Sequence, residues 1–205
     1  METDRRLFPL LKQACAAFDN ITLVEGDIMR IALDQLQLPA DYLVVANIPY
    51  YLTSALLRRL LEAQKKPRRI VLTVQQEVAH RICAAEGDLS LLAISVRVYG
   101  SASIAFHIPA GAFYPQPEVD SAVIRIDLYD TPLVESGKLD EFFALAKAGF
   151  GQKRKTLLNS ISAGMGWDKQ RAGETLSQAG IKPERRAQTL TLQEWAALAR
   201  TVSKK

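Results

Sequence analysis

Long apolar runs, metal-ligand spacings and a glycine-rich loop are all missing from this 205-residue sequence, and each absence removes a class of function. No stretch approaches the roughly 20 apolar residues that a bilayer-spanning helix needs. The charged opening Glu2-Thr3-Asp4-Arg5-Arg6 does not lead into the apolar core of a signal peptide, so a soluble cytoplasmic protein is expected. Cys15 and Cys83 lie far apart, and His80 and His107 share no ligand spacing with them, which argues against a disulfide framework and against a metal site. No Gly-x-Gly-x-Gly run occurs, and Gly149-Phe-Gly151 and Gly164-Met-Gly166 both fall toward the C-terminal end.

What is present is a globular composition, 48% hydrophobic and 23% charged, with room for one α/β domain and a small appendage. The net charge of +4 conceals an asymmetry. Residues 1–130 carry 13 Lys/Arg against 15 Asp/Glu, and residues 131–205 carry 13 against 7, giving −2 and +6. A basic C-terminal part favours a polyanionic partner.

The chain is organised around Asn47-Ile48-Pro49-Tyr50, which ends the apolar run Tyr42-Leu43-Val44-Val45-Ala46. A short β-rich run stopping at a polar, proline-bearing tetrapeptide reads as a buried strand that delivers a site to its carboxyl end. Pro49 lacks a backbone N–H and biases Ile48 away from helix, so the loop is expected to stay extended with its carbonyls free to accept. The Asn47 side chain adds an acceptor, and the Tyr50 ring offers a face worth about 1–3 kcal/mol to a stacked base. Two acceptors beside a flat ring suit a planar heterocycle with an exocyclic amine: both N–H hydrogens are taken, and the lone pair points outward. A proline turn beside a core tyrosine would use the same four residues.

Elsewhere the periodicities predict a helix over 5–18 and a strand over 21–25 ending at Asp27, where a carboxylate could accept from a ligand or merely cap a turn. Thr53 or Ser54 is expected to cap a helix to Lys65, followed by a strand at 69–74 and a helix opening at Gln75-Gln76-Glu77. This rhythm implies βαβ units and a mostly parallel sheet. A second helix is expected over 89–98. The weakly alternating 102–107 and the run 122–128 are expected to form an antiparallel hairpin, joined by the proline-stiffened loop Phe113-Tyr-Pro-Gln-Pro-Glu-Val-Asp-Ser121. After a linker at Thr131-Pro132 come helices at 138–149, 155–163, 168–179 and 192–203. Among them, Lys153, Arg154, Lys155, Arg185 and Arg186 read either as a solvated face or as phosphate contacts.

Taken together, Asn47-Ile-Pro-Tyr50, Gln75-Gln-Glu77 with Arg81, Phe113-Tyr-Pro-Gln-Pro-Glu-Val-Asp-Ser121, Phe150-Gly-Gln-Lys-Arg-Lys-Thr-Leu157 with Asn159, and Arg186-Ala-Gln-Thr-Leu190 resemble the ribosomal RNA adenine dimethyltransferases in order and spacing. The likeness is greatest to the branch that acts on two adjacent adenines near the 3′ end of small-subunit rRNA. It spans nearly the whole chain. The resemblance implies a class I, Rossmann-like α/β sheet that uses S-adenosylmethionine, over residues 1–130, followed by an all-helical RNA-binding domain over 131–205. It assigns Asn47 and the Pro49 carbonyl to the target amine, Tyr50 and Phe113 to the two walls of a flipped base, and Glu2, Asp27 and Asn47 to the methyl donor. Phosphate contact falls to Lys153, Arg154, Lys155, Arg185 and Arg186, with a monomer expected on the small ribosomal subunit.

The family pattern begins with a strand and a glycine-rich loop that this sequence does not contain, so the resemblance implies an N-terminally incomplete sheet with apolar surface uncovered. Because the glycine-rich loop is absent, a non-catalytic RNA-binding or ribosome-assembly protein, or an inactive fragment of such an enzyme, is the rival reading, and a large-subunit rRNA adenine methyltransferase a third.

Overall fold

The computed structural model describes residues 1–202, so the last residue of the helix expected over 192–203 lies outside the described residues. Four strands form one sheet in the order β1-β2-β4-β3: β1 Leu43–Asn47, β2 Arg69–Gln75, β3 Gly100–Ile108 and β4 Ser121–Leu128. β1 and β2 run parallel, while β4 lies antiparallel to both β2 and β3. The sheet is therefore mixed rather than mostly parallel. The expected hairpin forms, but its second strand turns inward to pair with β2 and becomes an interior strand.

Alternation decides which face of the sheet is covered. Ile70, Leu72 and Val74 on β2 and Ala122, Ile124 and Ile126 on β4 are all buried, and the register Leu72↔Ile124 carries this stripe across the two strands. The stripe shares one core with Leu56, Leu57, Leu60 and Leu61 of α2 (Thr53–Leu61), Ala79 and Ile82 of α3 (Gln76–Ile82), and Ile94 and Val96 of α4 (Leu91–Arg97). Truncating any one of these leucines to alanine would cost about 2–5 kcal/mol. On β1 the pattern differs: Val44 and Ala46 pack on the core, whereas Leu43 and Val45 are exposed, Val45 to 76%. Apolar surface is uncovered there, as expected.

Residues 1–40 contain no buried side chain. α1 (Phe8–Cys15) carries Pro9 in its first turn, as its sequence requires. The strand expected over 21–25 does not form. A single parallel bridge joins Glu2 to Glu25, with Glu2 N donating to Val24 O (3.0 Å) and Gly26 N to Glu2 O (2.9 Å). β-propensity alone does not make a strand where the ladder offers one partner residue.

The expected linker is packed. Tyr129 N donates to Tyr99 O (2.8 Å), Leu133 N to Val98 O (2.9 Å), and Val134 is buried. Four helices follow, α5 Leu139–Phe150, α6 Leu157–Met165, α7 Lys169–Gln178 and α8 Leu192–Thr201, close to their expected bounds. Their core residues Phe142, Leu145, Leu157, Ile161, Leu176 and Trp195 join the same hydrophobic cluster as the sheet.

Candidate active site

Asn47 is the last residue of β1 and its side chain is exposed. Pro49 is extended (φ −54°, ψ 133°), as its ring and position predict, and hands the chain into a 3-10 turn over Tyr50–Leu52. That turn changes one expectation. The Pro49 carbonyl already accepts from Leu52 N at 2.9 Å, which leaves one lone pair rather than two for a ligand. The helix after it is not capped by the side chain of Thr53 or Ser54, because the 3-10 turn runs straight into α2; instead Thr53 Oγ1 donates back to Tyr50 O at 2.9 Å. The Tyr50 hydroxyl meets Ser121 Oγ at 2.7 Å, across 71 residues of sequence.

Ser121 opens β4 and is fully buried. It also ends the loop that bears Phe113. That loop begins with a 3-10 turn over Ala110–Ala112, and Phe113 N donates to Ala110 O at 3.2 Å. Asp120 closes it: Oδ1 accepts from Ala110 N at 2.8 Å, and its carbonyl accepts from Gln76 N at 3.0 Å, at the start of α3. Phe113 is half-buried. The residues that follow the two expected aromatic walls, Tyr51 and Tyr114, are 83% and 103% exposed, so neither ring serves the core.

Of the three residues expected at the methyl donor, two lie on neighbouring segments, because the Glu2–Glu25 bridge sets Glu2 beside the Glu25-Gly26-Asp27 turn. Glu2 Oε1 accepts from Thr3 N (2.7 Å) and Asp4 N (2.8 Å). Those amides, Asp4's first, hold its carboxyl below the ordinary range, so it is an ionised acceptor at neutral pH. Asp27 Oδ1 accepts from Met29 N at 2.8 Å, and Arg59 on α2 donates to the carbonyls of Met29 (3.1 Å) and Ile31, holding this turn to the helix that follows the tetrapeptide. Two carboxylates on neighbouring segments, each held by backbone amides, are acceptors suited to the hydroxyl and amino groups of an adenosine moiety.

The basic residues divide. Lys153, Arg154, Lys155 and Arg186 are exposed. Their two segments meet, since Leu157 N donates to Arg185 O (2.7 Å) and Leu158 N to Pro183 O (3.1 Å). Arg185 itself is half-buried, and its guanidinium is engaged by Glu194 and by Thr189 O, which makes it a brace rather than a free cation. Arg185 in turn holds the Glu194 carboxyl below its ordinary range. A groove of about 1,190 Å³ opens between α3, the loop before β4 and the end of α5, lined by Glu77, His80, Arg81, Asp120, Lys147 and Lys153 among others, and Asn47, Pro49, Tyr50 and Phe113 are not part of its lining.

Sequence reasoning missed Arg59, and it quoted Asp120 and Ser121 without giving them a task. Only the position of Ser121, small and polar at the head of an apolar run, hinted at one.

A family model described as ribosomal RNA adenine dimethylase matches residues 1–203. Ribosomal RNA small subunit methyltransferase A of Dehalococcoides mccartyi (strain ATCC BAA-2266 / KCTC 15142 / 195) is 43% identical over 199 residues, covering 97% of this chain and 68% of the relative. The protein of that name from Moorella thermoacetica is 38% identical, covering 98% and 74%. Among solved structures, a dimethyladenosine transferase from Plasmodium falciparum superposes with a TM-score of 0.80 at 23% identity over 96% of this chain and 78% of that one. The 23S rRNA methyltransferase ErmE gives 0.74 at 23% over 98% and 79%, and at that identity both speak to the fold alone. With its tetrapeptide displayed at the end of β1 and a family match running from the first residue to beyond α8, the chain belongs to the ribosomal RNA adenine dimethylase family.

Proposed function

We propose that the protein is an S-adenosylmethionine-dependent rRNA adenine N6,N6-dimethyltransferase acting on two adjacent adenines near the 3′ end of small-subunit rRNA. The reading rests on the exposed Asn47 side chain beside a Pro49 carbonyl that retains one acceptor site. An adenine amine needs two acceptors to be turned so that its lone pair faces the methyl group, and these two stand two residues apart. The target base must leave its stack first, because N6 is out of reach inside a helix. Tyr50 and Phe113 supply the faces between which it would rest.

S-adenosylmethionine, when bound, supplies an electrophilic methyl group. Glu2 and Asp27 would hold its ribose and adenine, and Arg59 keeps the Asp27 turn in place. The N6 lone pair would form its bond to the methyl carbon as the carbon–sulfur bond of the donor breaks, with the neutral thioether leaving and one N–H proton passing to solvent, so the chain's contribution would be orientation rather than a strong base. The RNA is held by the helical region, residues 131–205, with Lys153, Arg154, Lys155 and Arg186 on phosphates. A monomer working in the cytoplasm on a ribosomal particle fits these parts; among the described residues, no helix is long and apolar enough to cross a membrane. The binding-only rival gains nothing from relatives that carry methyltransferase names.

The test is transfer of labelled methyl groups to small-subunit rRNA by the parent chain and by Asn47→Ala. The variant is expected to lose transfer while keeping its RNA affinity. Near-parental turnover by the variant would refute the role of Asn47, and absence of any transfer by the parent would refute the enzyme reading.

A further inference from the structure

Both aromatic walls of the proposed base pocket trace back to one dipeptide. Ser121 Oγ lies 2.7 Å from the Tyr50 hydroxyl, and it is the side chain of a fully buried residue at the head of β4. Asp120, its neighbour, holds Ala110 N through Oδ1 at 2.8 Å and so fixes the turn that delivers Phe113. The dipeptide is itself anchored on three sides. Ser121 pairs with Gln75 of β2 and Ile108 of β3, and the Asp120 carbonyl accepts from Gln76 N at 3.0 Å. Neither side chain is needed to build the sheet: the pairing is made by backbone, and a buried serine contributes little to an apolar core. A hydroxyl in that place, bonded to the ring that faces the substrate, is what a positioning role requires.

We propose that Asp120 and Ser121 are the positioning residues of the base pocket, setting the separation and tilt of the Tyr50 and Phe113 rings from one rigid point of the sheet. The proposal rests on the dimethyltransferase reading and adds to it a role for two residues that touch no substrate atom. Ser121 acts through the Tyr50 hydroxyl; Asp120 acts through the Ala110 amide. A ring left free to swing would still stack on a base, so RNA affinity survives. The amine would sit off line from the methyl group, and a misplacement of about 1 Å costs on the order of 100-fold in rate.

Three measurements on the full chain decide the matter. In the first, tyrosine labelled with carbon-13 at Cζ is observed by NMR without any substrate. Ser121→Ala is expected to move the Tyr50 signal and leave those of Tyr51 and Tyr114 in place; an unmoved Tyr50 signal overturns the linkage whether or not the protein is an enzyme. In the second, single-turnover methyl transfer and RNA affinity are measured for Ser121→Ala, Tyr50→Phe and the double variant. Each single change is expected to lower the rate roughly 10- to 100-fold with RNA affinity within about twofold. The double variant should be no slower than either, because both remove one hydrogen bond. Multiplying defects would overturn the proposal. In the third, Asp120→Asn, which keeps an acceptor oxygen, is expected to stay near the parent rate while Asp120→Ala falls with unchanged RNA affinity; equal rates for the two would remove Asp120 from the scheme. A parent chain that neither binds nor methylates RNA would sink the functional reading, and the NMR shift would still decide the linkage between Ser121 and Tyr50.

Discussion

Arg185 and Arg186 are neighbours in sequence with opposite surroundings, and their difference was invisible in the sequence. A pair of arginines in a basic region invites one role for both. Glu194, nine residues away, claims Arg185 because the first turn of α8 folds back on the connection from α7 that leads into it. Charge reversal at Lys153, Arg154 and Arg186 is accordingly expected to weaken RNA binding and flatten its salt dependence, whereas Arg185→Ala should lower the melting temperature and leave the salt slope unchanged. Glu194 adds a pH signature. Its folded pKa lies below the unfolded value, so its stabilisation is fully present above about pH 4.3 and is lost as pH falls through the folded value. Glu194→Gln should flatten the acid limb of a plot of melting temperature against pH; an unchanged acid limb would show the ion pair to be inert. By contrast, Asn47 and Pro49 were readable because their function depends on local covalent geometry, an extended proline loop after a strand.

Helices were easier to read than strands. A helix satisfies its own backbone, so the apolar spacing of residues 139–150 or 169–178 suffices to place it. Residues 21–25 have the composition of a strand but only one bridge to pair with, and the inward turn of β4 depends on partners 46 to 58 residues earlier in the chain, from Gln75↔Ser121 to Arg69↔Asp127. Close helix packing was likewise beyond a reading by pattern. A Cβ on Gly149 would lie 2.5 Å from Trp195 Cη2, and one on Gly164 would lie 2.5 Å from Ala148 Cβ, so α5 approaches α8 and α6 only because these residues are glycine. Gly149→Ala and Gly164→Ala should each destabilise by about 1–3 kcal/mol through overpacking. Gly137→Ala, with nothing near its Cβ, serves as the neutral control in the same thermal melts.

The whole molecule separates its net charge from its chemistry: residues 1–130, at −2, carry the tetrapeptide, and residues 131–205, at +6, carry the exposed Lys153, Arg154, Lys155 and Arg186. RNA affinity should therefore fall steeply with added salt, while the methyl-transfer rate at saturating RNA stays nearly constant. A rate that fell in parallel with affinity would place the cations at the reacting base instead. The order of the strands has a consequence in time as well as in space. Asn47 ends β1, an edge strand with one neighbour, and Ser121 begins β4, which is flanked on both sides. Amide protons along β4 should exchange with deuterated water only in rare, cooperative openings, and those of β1 by frequent local fraying. The acceptor that meets the amine and the anchor that holds the ring thus keep different clocks, and bound RNA should slow exchange at β1 far more than at β4.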